Sequence, residues 1–204
     1  MSIAQNISTV RERIAQAARR AGRNPDEIAL MAVSKTFPPE RIREAHAAGQ
    51  RLFGENRVQE FAGKAGALRD LSGAEWHMIG HLQTNKAPAA AELFDAVDSV
   101  DSLRLASKLD AAAGQAGKKL TVLIEINVGG EAAKSGVAPE SGEVEEILRA
   151  AVEWEHLEIR GLMTIPPFTD DAEGARLYFR RLCSLRDEIA ARRLPRVKSR
   201  QSRA

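Results

Sequence analysis

A lysine stands at the end of an apolar run in "IALMAVSKTFPP", residues 28 to 39. At the mouth of a packed core, Lys35 would lose hydration, and desolvation favours the neutral amine. A neutral amine adds to aldehydes and forms a Schiff base. The same spacing fits a lysine that snorkels to solvent past a strand end. The residues alone leave both readings open. Other polar groups follow later apolar runs: Glu55, Asn56 and Arg57; His77, His81 and Gln83, then Asn85 and Lys86; Glu125 and Asn127, then Lys134 and Ser135; and Thr164 after Met163. Each has a plain structural reading. Asn56 suits a helix cap, His77 a hydrogen-bonded core position, Met163 core packing, and Lys86 and Lys134 a solvated surface. His77 and His81 lack a third ligand at a recognisable spacing, so no metal site is expected. Cys183, in a helical pattern with Leu177 and Leu182, reads as a buried structural thiol.

These residues need strands to position them. Strand-like runs at 28–34, 51–54, 75–80, 93–100, 120–127 and 157–165 alternate with helical stretches near 39–48, 56–70, 84–92, 102–116, 139–153 and 170–193. An amphipathic helix carrying Ile3, Ile7, Val10 and Ile14 precedes them. Gly49 closes one helix, and Ser102 and Asp170 suit N-caps. The runs 28–33 and 120–126 are almost continuously apolar, as expected of parallel strands covered on both faces. Six βα units in a row imply a parallel α/β fold. No G-x-G-x-x-G follows the first strand, which weakens a dinucleotide-binding reading. Gly129 and Gly130 read as turn residues. A (β/α)8 barrel is favoured, although it needs eight units and six are counted. In such folds function gathers at the C-terminal ends of the strands, where the polar groups lie.

Composition bounds the rest. The chain has 204 residues, 44% of them hydrophobic, which suits one globular domain. A single cysteine forbids an internal disulfide and fits a reducing, cytoplasmic compartment. No apolar run approaches the roughly 20 residues that span a bilayer, and the first residues are too polar for a secretory leader. The net charge of +2 comes from the last thirteen residues, which hold six Lys or Arg and no acid. The remainder has 24 basic and 28 acidic residues, so nothing argues for nucleic-acid binding by the body of the protein.

Together, "MAVSKT", "FGENRVQE", "EWHMIGHLQTNK", "INVGGEAAKSG" and "RGLMTIPP" resemble, in order and spacing, the pyridoxal phosphate homeostasis proteins of the YggS/PROSC family. The resemblance covers about residues 3 to 195. It implies a single barrel domain over 1–195, similar to the N-terminal domain of alanine racemase, with pyridoxal 5′-phosphate (PLP) held as a Schiff base on Lys35. It implies that Asn56 lies beside the cofactor ring and that His77 and Met163 line or support the pocket. It also implies cofactor homeostasis without a turnover reaction, a monomer, and PLP-dependent apoenzymes as recipients. The sequence departs from the family after about residue 195. The last two βα units and their phosphate loops are missing from the pattern, so the barrel is expected to be incomplete, and 196–204 reads as a basic non-family tail. The alternative is a PLP-dependent amino-acid racemase or lyase. Racemase chemistry needs a positioned tyrosine base, and the one tyrosine, Tyr178, falls in a helical stretch. A nucleic-acid binder working through the tail has six charges in its favour but no interleaved aromatic residue.

Overall fold

The alternation of apolar runs and helical stretches folds as six βα units in chain order. The structure, a computed structural model, describes residues 1–131, 134–170 and 172–192. The tail at 196–204 and the residue next to the Asp170 cap lie outside the described residues. The chain divides into two compact units, Met1–His77 and Met78 onward.

The first unit opens with α1 (Ile3–Arg20), started by a reciprocal capping box between Ser2 and Gln5. Then come β1 (Ala32–Val33), α2 (Pro39–Ala47), β2 (Leu52–Glu55), α3 (Val58–Ala65) and β3 (Glu75–Met78). β1 and β2 pair in parallel, Ala32 opposite Phe53 and Val33 opposite Gly54. Gly49 ends α2 as expected. It adopts a φ of +86°, and Gln50 N–H returns to the Ala45 carbonyl at 3.1 Å. That geometry favours glycine because a Cβ there is strained. Trp76 stacks on Phe53 with ring centroids 4.9 Å apart and meets Phe61 at 4.8 Å, which anchors α3 to β2 and β3.

The run 28–34 departs from expectation. Only Ala32 and Val33 are strand, and Val33 is 45% exposed, so this segment is not covered on both faces. The side chain of buried Gln50 explains the shortening. It donates to the carbonyls of Leu30 at 2.6 Å and Leu52 at 2.7 Å, satisfying at Leu30 a group that a longer ladder would have used.

The second unit holds α4 (Ala87–Leu93), β4 (Ala96–Val100), α5 (Leu103–Gln115), β5 (Leu120–Glu125), α6 (Glu143–Ala150), β6 (Leu157–Met163) and α7 (Ala172–Ala191). β4, β5 and β6 are parallel, with Val97 opposite Val122 and Glu125 opposite Met163. Every residue of β4 is buried, and Val122, Ile124, Leu105 and Leu109 form the core beneath α5. Ser102 caps α5, accepting the Leu105 N–H at 3.3 Å. Gly129 lies in a turn as expected. Cys183 does not: it is exposed, as are Leu177 and Phe179, because α7 turns Ile189 inward instead.

Candidate functional site

The β1 end builds the first part of the site. Ser34 to Phe37 form a turn closed by Phe37 N–H to the Ser34 carbonyl at 3.2 Å. Thr36, alone among the described non-glycine residues, has a positive φ, +65°. A β-branched residue there is strained, and such strain persists only where surroundings hold it. The holding groups come from β2 and α3. Thr36 N–H donates to Glu60 Oε1 at 2.6 Å. Ser34 Oγ donates to Glu55 Oε1 at 2.6 Å. Lys64 Nζ lies 2.9 Å from Glu55 Oε1 and 3.2 Å from Glu60 Oε1, and donates to the carbonyls of Ser34 at 3.0 Å and Phe37 at 3.4 Å. The Thr36 N–H, and then the Lys64 and Arg57 charges, hold the Glu60 carboxyl below its usual range against partial burial.

Lys35 sits at the centre of this braced turn. Its side chain is exposed, and among the described residues nothing pairs with its ammonium. Of the two readings the residues left open, a desolvated lysine and one reaching solvent past a strand end, the structure has the second. The short β1 leaves its end open, so Lys35 reaches solvent. Asn56 directly follows the end of β2, whose Gly54 stands opposite Val33 at the end of β1. Asn56 does not cap α3, whose N-cap is Arg57. Its Oδ1 is buried without a hydrogen-bond partner, as is Glu55 Oε2. His77 is half-buried on β3, beside the stacked Trp76.

Met163 ends β6 in the second unit, half-buried, its carbonyl accepting the Ile126 N–H at 2.8 Å. The strand ends of this unit line an open cleft of about 570 Å³ with His81, Asp101, Glu125, Asn127, Lys134 and Ser135. His81 Nδ1 and Asp101 Oδ2 lie 2.9 Å apart, and Ser135 Oγ donates to Glu125 at 3.2 Å. Burial pushes the Glu125 carboxyl up; Ser135 opposes this and the Asp101 charge adds to it. Gly136, at a φ of +107°, lets the 134–137 segment close on β5, since a Cβ there would lie 2.8 Å from Asn127 N. Lys134 pairs with Glu131 at 2.7 Å. Among the described residues, no three His, Cys, Asp or Glu side chains group to hold a metal ion, and no helix is long and apolar enough to cross a membrane.

Sequence reading found the strand-end residues of both units except Asp101. It missed Glu60 and Lys64 as parts of the site. The i,i+4 spacing of Glu60 and Lys64 was a visible signal, but their convergence on the turn around Lys35 was not.

The fold and the motifs have relatives. The alanine racemase N-terminal domain family matches residues 5–204. A pyridoxal phosphate homeostasis protein of Aquifex aeolicus is 44% identical over 189 residues, covering 93% of this chain and 82% of that protein. The structure of PipY from Synechococcus elongatus with PLP bound aligns with a TM-score of 0.79 at 34% identity, covering 97% of this chain and 85% of PipY. An alanine racemase of Clostridium difficile aligns at 17% identity with a TM-score of 0.63 over 80% of this chain and 44% of the racemase, a likeness of fold alone.

Proposed function

Because the chain belongs to the pyridoxal phosphate homeostasis proteins, within the alanine racemase N-terminal domain family, we propose that it binds PLP covalently through Lys35 and serves intracellular PLP homeostasis. The observation that carries this reading is the exposed Lys35 amine, without a partner among the described residues, on a turn whose backbone groups are tied to Glu60 and Lys64 of α3. The residues fit the aldehyde end of the cofactor. PLP supplies an electrophilic aldehyde carbon. Lys35 would hold that carbon: once its ammonium has given a proton to solvent, Nζ would form the C–N bond and the aldehyde oxygen would leave as water with the two remaining amine hydrogens, with no oxidant or reductant needed. Asn56 is assigned to the cofactor ring side, with His77 and Met163 lining or supporting the pocket. PipY, of the same fold, has been crystallised with PLP.

No turnover reaction is part of this proposal. Tyr178, the one tyrosine of the chain, lies on α7 and not at a strand end, which supports binding over racemase or lyase chemistry. The single cysteine supports a reducing, cytoplasmic setting. The proposal takes the protein as a monomer over a domain spanning 1–195, with PLP-dependent apoenzymes as recipients. The test is borohydride reduction in the presence of PLP, followed by peptide mapping. Label is expected on Lys35 and absent from Lys35→Ala. Label elsewhere, unchanged in Lys35→Ala, would refute the assignment. Sustained exchange of an amino-acid α-proton, lost in Lys35→Ala, would replace the binding role with catalysis.

A further inference from the structure

Resting on the reading of Lys35 as the PLP-binding residue, we infer that Glu60 is its positioning residue, holding Thr36 in the left-handed conformation that fixes the direction in which the Lys35 side chain leaves the backbone. Three observations on the turn carry this. Thr36 has a φ of +65°, a conformation that a β-branched residue takes only when it is held there. Among the described residues its N–H donates to Glu60 Oε1 alone, at 2.6 Å. Glu60 is itself set by Lys64, one helical turn on in α3, which also grips the carbonyls of Ser34 and Phe37 on either side of Lys35 and Thr36. Lys35 is thus the free member of a turn whose backbone polar groups are tied to α3.

The placement of Glu60 separates this role from simple support of the fold. Its side chain is 31% exposed, so the hydrophobic core does not depend on it. It sits in the first turn of α3, where an acidic side chain commonly serves its own helix, yet its closest contact is to a backbone group 24 residues earlier. A preorganised turn spares the ordering of the lysine that binding would otherwise require. Without Glu60, Thr36 relaxes to a negative φ, and the Lys35 Cα–Cβ direction swings with it.

The test uses the full chain in four forms: wild type, Glu60→Gln, Glu60→Ala, and Glu60→Ala combined with Thr36→Gly. PLP titration, borohydride labelling of Lys35, thermal unfolding and hydrogen exchange of the Thr36 amide are measured on each. Glu60→Gln keeps an acceptor oxygen and is expected to bind PLP within about threefold of wild type. Glu60→Ala is expected to lose about tenfold in affinity, about 1.4 kcal/mol, and to expose the Thr36 amide to exchange. Glycine adopts a positive φ without strain, so Thr36→Gly is expected to recover a good part of the affinity lost in Glu60→Ala. Equal affinity in all four forms would overturn the proposal. So would a loss in Glu60→Gln as large as in Glu60→Ala, or a loss that follows the unfolding temperature and is not recovered by glycine. An unchanged Thr36 amide in Glu60→Ala shows that the contact itself is wrong, whatever the cofactor does. An unlabelled Lys35 in wild type, with the Thr36 amide behaving as expected, shows instead that the cofactor reading has failed, and removes the positioning role with it.

Discussion

Replacing Lys64 with methionine removes a charge while keeping most of the packing volume. Lys64 is 9% exposed at its side chain and Glu55, its partner at 2.9 Å, is 0% exposed. With Lys64 gone, the Glu55 carboxylate keeps only the Ser34 hydroxyl, because its other oxygen has no partner. Breaking a buried pair by removing one member costs about 3–5 kcal/mol, since the other charge is left uncompensated. That is a large share of the roughly 5–15 kcal/mol available to a domain. At about 2–4 °C per kcal/mol for a chain of this size, the melting temperature falls by roughly 6–20 °C. The double variant Lys64→Met with Glu55→Gln removes the stranded charge as well and is expected to regain at least half of the loss. Chemical denaturation of wild type, both single variants and the double variant closes the thermodynamic cycle. A Lys64→Met protein within about 1 kcal/mol of wild type would refute the account of the network as a buried charge pair, and so would a double variant no more stable than Lys64→Met.

Three further outcomes follow from the geometry. Burial raises the Glu125 carboxyl, so the folded protein holds that proton more tightly than the unfolded chain; stability should fall as pH rises from the unfolded carboxyl value to the folded one, then level off. Glu125→Gln should flatten that decline in urea unfolding followed across the acidic range, and an unchanged slope would count against it. Asn56→Ala removes an oxygen with no partner in the structure, so the unliganded protein should keep its stability to within about 1 kcal/mol, while PLP titration should show about tenfold weaker binding, about 1.4 kcal/mol. Gly49→Ala forces a side chain into a φ of +86° and should cost about 1–2 kcal/mol in denaturant unfolding; a neutral result would mean that the end of α2 relaxes freely.

The order of elements was legible from the chain because it follows from local chemistry. Alternating apolar runs and helical spacing placed all six strands, Gly49 and Ser102 marked helix ends that the structure contains, and the position of Lys35 after an apolar run marked a strand end worth testing. The family motifs rest on the same local residues. What the sequence could not decide was which element covers which side chain. The apolar run 28–33 looked like a fully covered strand, yet its pairing stops at Ala32 because the side chain of Gln50, from beyond α2, takes the Leu30 carbonyl. Cys183 carried the pattern of a buried thiol, but α7 faces it outward. Asn56 looked like a cap, but Arg57 occupies that position and leaves Asn56 aimed into a buried space. Lys64 and Glu60 stand one helical turn apart in the sequence, but only the docking of α3 beside the β1 end makes them the brace around Lys35. Periodicity is a property of neighbouring residues and survives in the one-dimensional chain. Burial and partnership belong to groups distant in sequence, and they exist only once tertiary packing brings those groups together.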